Sequence, residues 1–170
     1  APSQAMSGKS NAITFEHNLK AECRCDDEHY TEYVVNGTPT DCVKLALHTI
    51  VPRRPDLLLS GINHGSNAGN NIIYSGTMGA ALETCMLGIP SIGYSYLSHS
   101  PEADFSNTLP FLKSSITWSR SFCSRSLCIA RASICKVRSV RARSFTRCFL
   151  PPKIIIFLRR DGSYEFRSER

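Results

Sequence analysis

Pro55-Asp56-Leu57-Leu58-Leu59-Ser60-Gly61-Ile62-Asn63-His64-Gly65-Ser66-Asn67-Ala68-Gly69 is the stretch on which the fold turns. Residues 56–60 form a short, unbroken apolar run between Pro55 and Gly61. A run of that length, closed by two chain-breaking residues, reads as a strand buried on both faces, which is the habit of a parallel sheet. The Gly/Asn-rich segment 61–71 that follows reads as a long loop leaving the carboxyl end of that strand.

Working outward, Asn36-Gly37-Thr38-Pro39-Thr40-Asp41 carries the signals of a helix start. Thr38 suits the N-cap, Pro39 the first helical position, and Asp41 closes a capping box. Val43, Leu45, Ala46, Leu47 and Ile50 form the apolar side of that helix, and Pro52 ends it. Before it, residues 30–35 are aromatic and β-branched and read as a strand. Residues 12–15 read as a further short strand, and 18–29 as a polar connection. After the loop, 76–87 reads as a helix packing through Ala80, Ala81, Leu82, Cys85 and Met86, stopped by Gly88 and Pro90. Ser91–Tyr96 reads as another strand. Strand, capped helix, strand, loop, helix, strand is the rhythm of an α/β fold with a parallel sheet flanked by helices.

In such sheets ligands bind beyond the carboxyl ends of the strands, which singles out the loop from Gly61. Its glycines let a ligand approach the backbone. Its asparagines offer neutral oxygens to a hard cation or amide donors to a phosphate. A second anion site is Tyr74-Ser75-Gly76-Thr77, where a helix begins with unpaired N–H groups and a favourable dipole, and where Ser75 and Thr77 add hydroxyl donors. Gly/Asn clusters also occur in ordinary turns without a ligand, and it is the meeting of two signals at one sheet edge that points to phosphate. His64 suits a general acid or base and equally a loop residue with no chemical role. Cys23, Cys25 and His29 could hold a metal, but a polar surface loop is the favoured reading.

Composition divides the chain. Residues 1–106 hold 6 Lys/Arg against 11 Asp/Glu, and residues 107–170 hold 14 against 3, so the total of +6 joins an acidic part to a strongly basic one. Nine of the ten glycines and all five histidines precede residue 100. Residues 119–147 are largely Ser, Arg and Cys and lack the Gly, Asn, Asp or Pro that turns require. Cys123, Cys128, Cys135 and Cys148 have no zinc-module spacing, and all eight cysteines read as reduced thiols. No apolar run is long enough to span a membrane, and the first residues lack the layout of a signal peptide.

The 55–69 stretch together with Ile73-Tyr74-Ser75-Gly76-Thr77 resembles the SurE family of survival-protein nucleotidases. So do the segment Asn36-Gly37-Thr38-Pro39-Thr40-Asp41-Cys42-Val43-Lys44-Leu45-Ala46 and the opening Ala1-Pro2 with Ser7-Gly8-Lys9-Ser10. The match runs from Ala1 to about residue 113. It implies a Rossmann-like fold and a phosphomonoesterase dependent on a divalent metal, magnesium or manganese. The substrates it implies are nucleoside 5′- and 3′-monophosphates and, in some members, polyphosphate. It also implies a cytoplasmic homo-oligomer. Carried over by motif, Ser7 and Asn63 fall on metal-binding positions. Asn67, Ser75, Gly76 and Thr77 fall on the phosphate-binding region.

The family pattern opens on a strand ending in an Asp-Asp pair, the anionic metal ligands. The chain starts at Ala1, after that point, and Asp26-Asp27 is no substitute. No catalytic residue is assigned, and neutral oxygens alone hold magnesium poorly. A missing first strand would leave its neighbour with an open edge. Residues 1–113 therefore read as a partial nucleotidase domain with impaired activity. Residues 114–170 read as an irregular basic tail, most simply from a reading-frame change near residues 113–115. Two other readings compete. One is a product with no enzymatic function. The other is nucleic-acid binding through the tail, which would attract phosphate backbones nonspecifically but carries no recognition motif. Ile154–Leu158 is an apolar strand candidate without an assigned partner.

Overall fold

Alternation along Leu57-Leu58-Leu59 divides the interior in two. The computed structural model describes residues 1–27, 30–100, 102–105, 108, 110, 112, 114, 133–137 and 154–158. Strand β3 (Leu57–His64) lies at its centre. Successive strand side chains point to opposite faces, and here both faces are covered. Leu58 joins Val43, Ala80 and Ala81 in one buried cluster, with Leu47 against it. Leu57 and Leu59 join Ile92, Tyr94 and Leu112 in another, with Ile62 packed beside it.

The first cluster is supplied by two helices, α1 (Pro39–Leu45) and the longer α3 (Gly76–Met86), which touch each other. Helix α3 also packs on β3 and on β4 (Ser91–Tyr96). A π-helical turn, Ala46–Ile50, prolongs α1, and a single turn, α2 (Asn71–Tyr74), precedes α3. Strands β1 (Ala21–Asp26) and β2 (Thr31–Val35) form a separate antiparallel hairpin.

The main sheet has the order β5-β4-β3-β6, where β5 is Ser133–Val137 and β6 is Ile154–Leu158. The β5–β4 and β4–β3 pairs are parallel, and β6 runs antiparallel to β3. The expected α/β fold is therefore present. Two stretches of the tail enter the sheet as strands, and its other residues from 115 onward lie outside those described. Ile154–Leu158 finds its partner in β3, with Leu57 opposite Leu158 and Gly61 opposite Ile154. Strand β3 therefore has a neighbour on each side, β4 and β6.

Four local expectations are corrected. Residues 12–15 form no strand: the Ala12 carbonyl accepts the Thr38 hydroxyl at 2.6 Å, and Thr14 is bound to Asp41, so the polar groups of this segment serve the cap of α1. Its apolar side chains Ile13 and Phe15 face solvent. The connection assigned to 18–29 contains β1, whose residues are all exposed; a strand wet on every position leaves no hydrophobic alternation to read. Strand β3 continues past Ser60 to His64, so the expected loop starts later, and part of it is the α2 turn. Met86 does not pack, being 70% exposed at the last turn of α3. The capping box of α1 forms as expected: Asp41 N–H donates to Thr38 Oγ1 at 3.1 Å, and Thr38 N–H to Asp41 Oδ2 at 2.8 Å.

Candidate phosphate-binding site

The register of β3 against β4 shifts between Ser60 and Asn63. Ser60 stands opposite Gly93 and Asn63 opposite Ser95, so β3 carries one more residue than β4 over this interval. An extra residue of this kind re-aims the side chains beyond it. Gly61 makes it possible: its φ is +133°, and a Cβ there would lie 2.6 Å from the Tyr94 carbonyl oxygen.

Past the irregularity, Asn63 uses its side-chain amide to organise the loop. Its Nδ2 donates to the carbonyls of His64 (2.7 Å) and Gly65 (3.1 Å) and to Asn67 Oδ1 (3.2 Å). Asn67 is buried, and its Nδ2 donates to Ser95 Oγ at 2.8 Å. Gly65 turns the chain with φ of +83°, its N–H reaching the carbonyls of Tyr96 and Ser98. The His99 ring occupies the space where a side chain at 65 would stand.

The second group of candidate residues gathers at the start of α3. Ser75 is the N-cap, and its hydroxyl oxygen accepts from Met78 N–H at 3.2 Å. The oxygen thus caps the helix by accepting, which leaves the hydroxyl free to act as the donor expected of it. The N–H groups of Gly76 and Thr77 belong to the first turn and have no intrahelical acceptor. Both residues are buried. Gly76 is closed in by Pro39 and by the Met6 carbonyl, and Gly79 by the Ser10 carbonyl. Ser10 N–H bonds the Tyr74 carbonyl at 3.2 Å, and its hydroxyl bonds that of Ile73. The segment holding Ser7 is thereby laid across the start of α3, with Ser7 itself exposed. Met78 and Thr77 sit over Gly93, two residues before Ser95, so the helix start and the Asn67 amide are set on the same strand.

His64 points elsewhere. Its ring meets Phe105 edge to face at 4.8 Å, and Phe105 also touches Tyr96. The His64 Nδ1 is buried without a hydrogen-bond partner among the described residues. Ser95, Tyr96 and Phe105 were not singled out from sequence; a serine inside a strand and aromatics near one look like ordinary sheet residues.

The Asn63 Nδ2 contacts leave Oδ1 turned away from the backbone carbonyls, as a metal ligand requires. No group of three or more His, Cys, Asp or Glu converges among the described residues. Asp26 and Asp27 accept from Thr31 and Tyr30 within the hairpin turn, and Asp41 is committed to the α1 cap. Asn63 Oδ1 is thus an oriented neutral ligand, and neutral oxygens alone hold magnesium poorly. Cys23 and Cys25 are exposed on β1; the His29 considered with them lies outside the described residues.

Comparison with known proteins converges on one family. Residues 1–144 match the family described as survival protein SurE, a span that passes the 113 boundary. The 5′-nucleotidase SurE of Phocaeicola vulgatus is 54% identical over 113 residues, covering 66% of this chain and 44% of that protein. The namesake from Christiangramia forsetii is 50% identical over 115 residues, with the same coverage. The crystal structure of SurE from Aquifex aeolicus superposes with a TM-score of 0.61 at 36% identity, covering 71% of this chain and 48% of that one. The chain spans less than half the length of these curated relatives.

Proposed function

The chain belongs to the SurE survival-protein family, and from that premise we propose that it carries the phosphate-binding part of a phosphomonoesterase acting on nucleoside 5′-monophosphates. What supports this reading is that two kinds of anion donor are both anchored to β4, one on Ser95 and one over Gly93. One is the buried, doubly anchored amide of Asn67. The other is the start of α3 at Ser75, Gly76 and Thr77. Donors held rigid in advance suit the developing charge of phosphoryl transfer, because little reorganisation is needed when the charge appears. 3′-Monophosphates and polyphosphate present the same terminal phosphoryl oxygens and belong to the same reading, as do a Rossmann-like ancestry, a cytoplasmic setting and homo-oligomeric assembly. Among the described residues no helix is long and apolar enough to cross a membrane.

A bound magnesium or manganese ion would polarise the phosphate and activate water. Asn63 Oδ1 and the Ser7 hydroxyl are the oxygens offered to it, and both are neutral. The chain's own residues therefore bind and orient phosphate more than they promote its hydrolysis, and turnover is expected to be impaired. The test is calorimetric titration with inorganic phosphate and AMP, alongside phosphate release from AMP with either metal. Binding that is lost in Asn67→Asp, where a carboxylate repels the anion, accompanied by slow or undetectable turnover, supports the reading. A folded chain that binds neither phosphate nor AMP overturns it in favour of a product without enzymatic function.

A further inference from the structure

We infer that Ser95 is the positioning residue of the phosphate site: its hydroxyl fixes the amide plane of Asn67, so that one Asn67 N–H is held ready for a phosphoryl oxygen. The inference rests on the phosphate-site reading above and deepens it by naming a residue that the sequence motifs pass over.

The carbonyl oxygens of His64 and Gly65 both face the Asn63 side-chain amide, at 2.7 and 3.1 Å. A carbonyl oxygen only accepts, so the group facing it must be Nδ2 and not Oδ1. That settles which way the Asn63 amide is turned, an assignment that otherwise rests on choice. Asn63 Nδ2 has two hydrogens for three acceptors, so its longest contact, with the Asn67 side chain at 3.2 Å, shares one of them; a nitrogen donor there still requires Asn67 Oδ1 and not Nδ2 opposite it. With Asn67 Oδ1 so placed, Asn67 Nδ2 falls on Ser95 Oγ at 2.8 Å. Polarity thus runs in one direction, from two fixed carbonyls through Asn63 and Asn67 to Ser95.

Ser95 ends the chain. It is 1% exposed, on strand β4, and stands directly opposite Asn63 in the sheet. That pairing exists because β3 carries its extra residue between Ser60 and Asn63. An unbroken register would bring a different residue opposite Asn63. The Asn67 amide has two N–H groups. One is spent on Ser95, and the other is left in a direction set by both anchors. Without the Ser95 oxygen, Asn67 keeps only the longer bond to Asn63, and its amide turns about the last side-chain torsion, which is intrinsically soft. Ser95 meets no phosphate itself and acts through Asn67.

The experiment uses the full chain, labelled with 15N, and the variants Ser95→Ala and Ser91→Ala. Ser91 is a control on the same strand: it is equally buried, and its hydroxyl donates to the Ile89 carbonyl at 2.9 Å, far from Asn67 in the bonding pattern. Ser95→Ala is expected to shift the side-chain NH2 resonances of both Asn67 and Asn63, whereas Ser91→Ala lowers the melting temperature and leaves them in place. In titrations with inorganic phosphate, Ser95→Ala should weaken binding about tenfold, equivalent to about 1.4 kcal/mol. In an Asn67→Ala background the same change should add nothing further, since both act through one amide. Unshifted Asn67 and Asn63 resonances in Ser95→Ala overturn the assignment. So does phosphate affinity within twofold of the parent chain. If the parent chain binds no phosphate, the phosphate-site reading fails, and the resonances alone still decide whether Ser95 orients the two asparagines.

Discussion

Thr14 donates its hydroxyl to Asp41 Oδ2 at 2.6 Å and its backbone N–H to Asp41 Oδ1 at 3.2 Å, joining residues far apart in sequence. Asp41 also accepts from Thr38 N–H. One buried carboxylate therefore closes the cap of α1 and fastens the distant 12–15 segment against it. The arrangement places the Ser7 segment, α1 and the start of α3 in one block.

Burial by itself would raise the Asp41 pKa, but the hydrogen bonds from Thr14 and Thr38 together outweigh it and hold the carboxyl below its usual range. A lowered folded pKa gives stability that is fully present above the unfolded value, near 4, and lost as pH falls through the lower folded value. Asp41→Asn should cost roughly 2 kcal/mol at pH 7, in line with bonds to a charged acceptor. The gap between variant and parent should narrow below about pH 4. Urea midpoints for both proteins at pH 7 and pH 3 measure it; a gap that is constant with pH would contradict the assignment.

Gly61 and Gly69 both have positive φ but differ in their surroundings. A Cβ at Gly61 would lie 2.6 Å from a backbone oxygen, whereas nothing lies within 4 Å of one at Gly69. Gly69→Ala should cost about 1 kcal/mol from backbone strain alone. Gly61→Ala should cost more, about 3 kcal/mol, because the Tyr94 carbonyl must also move. It should weaken phosphate binding as well, since Asn63 and Ser95 depend on that irregularity. Chemical denaturation and phosphate titration of the two variants test the contrast.

Burial pushes the Cys42 thiol up to about 11, so almost no thiolate exists at neutral pH. Cys23 and Cys25 are exposed. Brief alkylation with iodoacetamide at pH 8, followed by peptide mapping, should label Cys23 and Cys25 and spare Cys42 until the chain is unfolded. Early labelling of Cys42 would show that the α1 core opens readily.

Lys44 on α1 meets Glu83 on α3 at 2.5 Å. Glu83 is largely covered, but Lys44 is more than a third exposed, so solvent screens the pair. Glu83→Gln should cost about 0.5 kcal/mol in low salt and less in 0.5 M salt, with ~0.5 kcal/mol being typical of exposed pairs. Thermal melts at both ionic strengths check this.

Each element that carried a strong local signal was legible. The α1 cap could be read because Thr38, Pro39 and Asp41 act on one another within a single turn. The centre of β3 could be read because Leu57, Leu58 and Leu59 are all apolar, as burial on both faces demands. Strand β1 could not, because none of its residues is buried. The end of β3 could not, because Gly61, which looks like a loop residue, serves as the irregular position inside a strand. The candidate site divides in the same way. Asn63, Asn67, Ser75, Gly76 and Thr77 stood out through their motifs, whereas Ser95 is one serine among several.

The sequence by itself determined the local grammar: the capped helix, the apolar strand, the glycine-permitted turns and the family to which their order belongs. These depend on residues a few positions apart, and the chemistry of such neighbours is written in the chain. Only the tertiary structure decided which distant groups share a hydrogen bond. Thr14 with Asp41, Asn67 with Ser95, and Ile154–Leu158 along the edge of β3 are pairings between remote segments. A donor's type shows in the sequence, but its partner is set by strand register and by which buried groups would otherwise go unsatisfied.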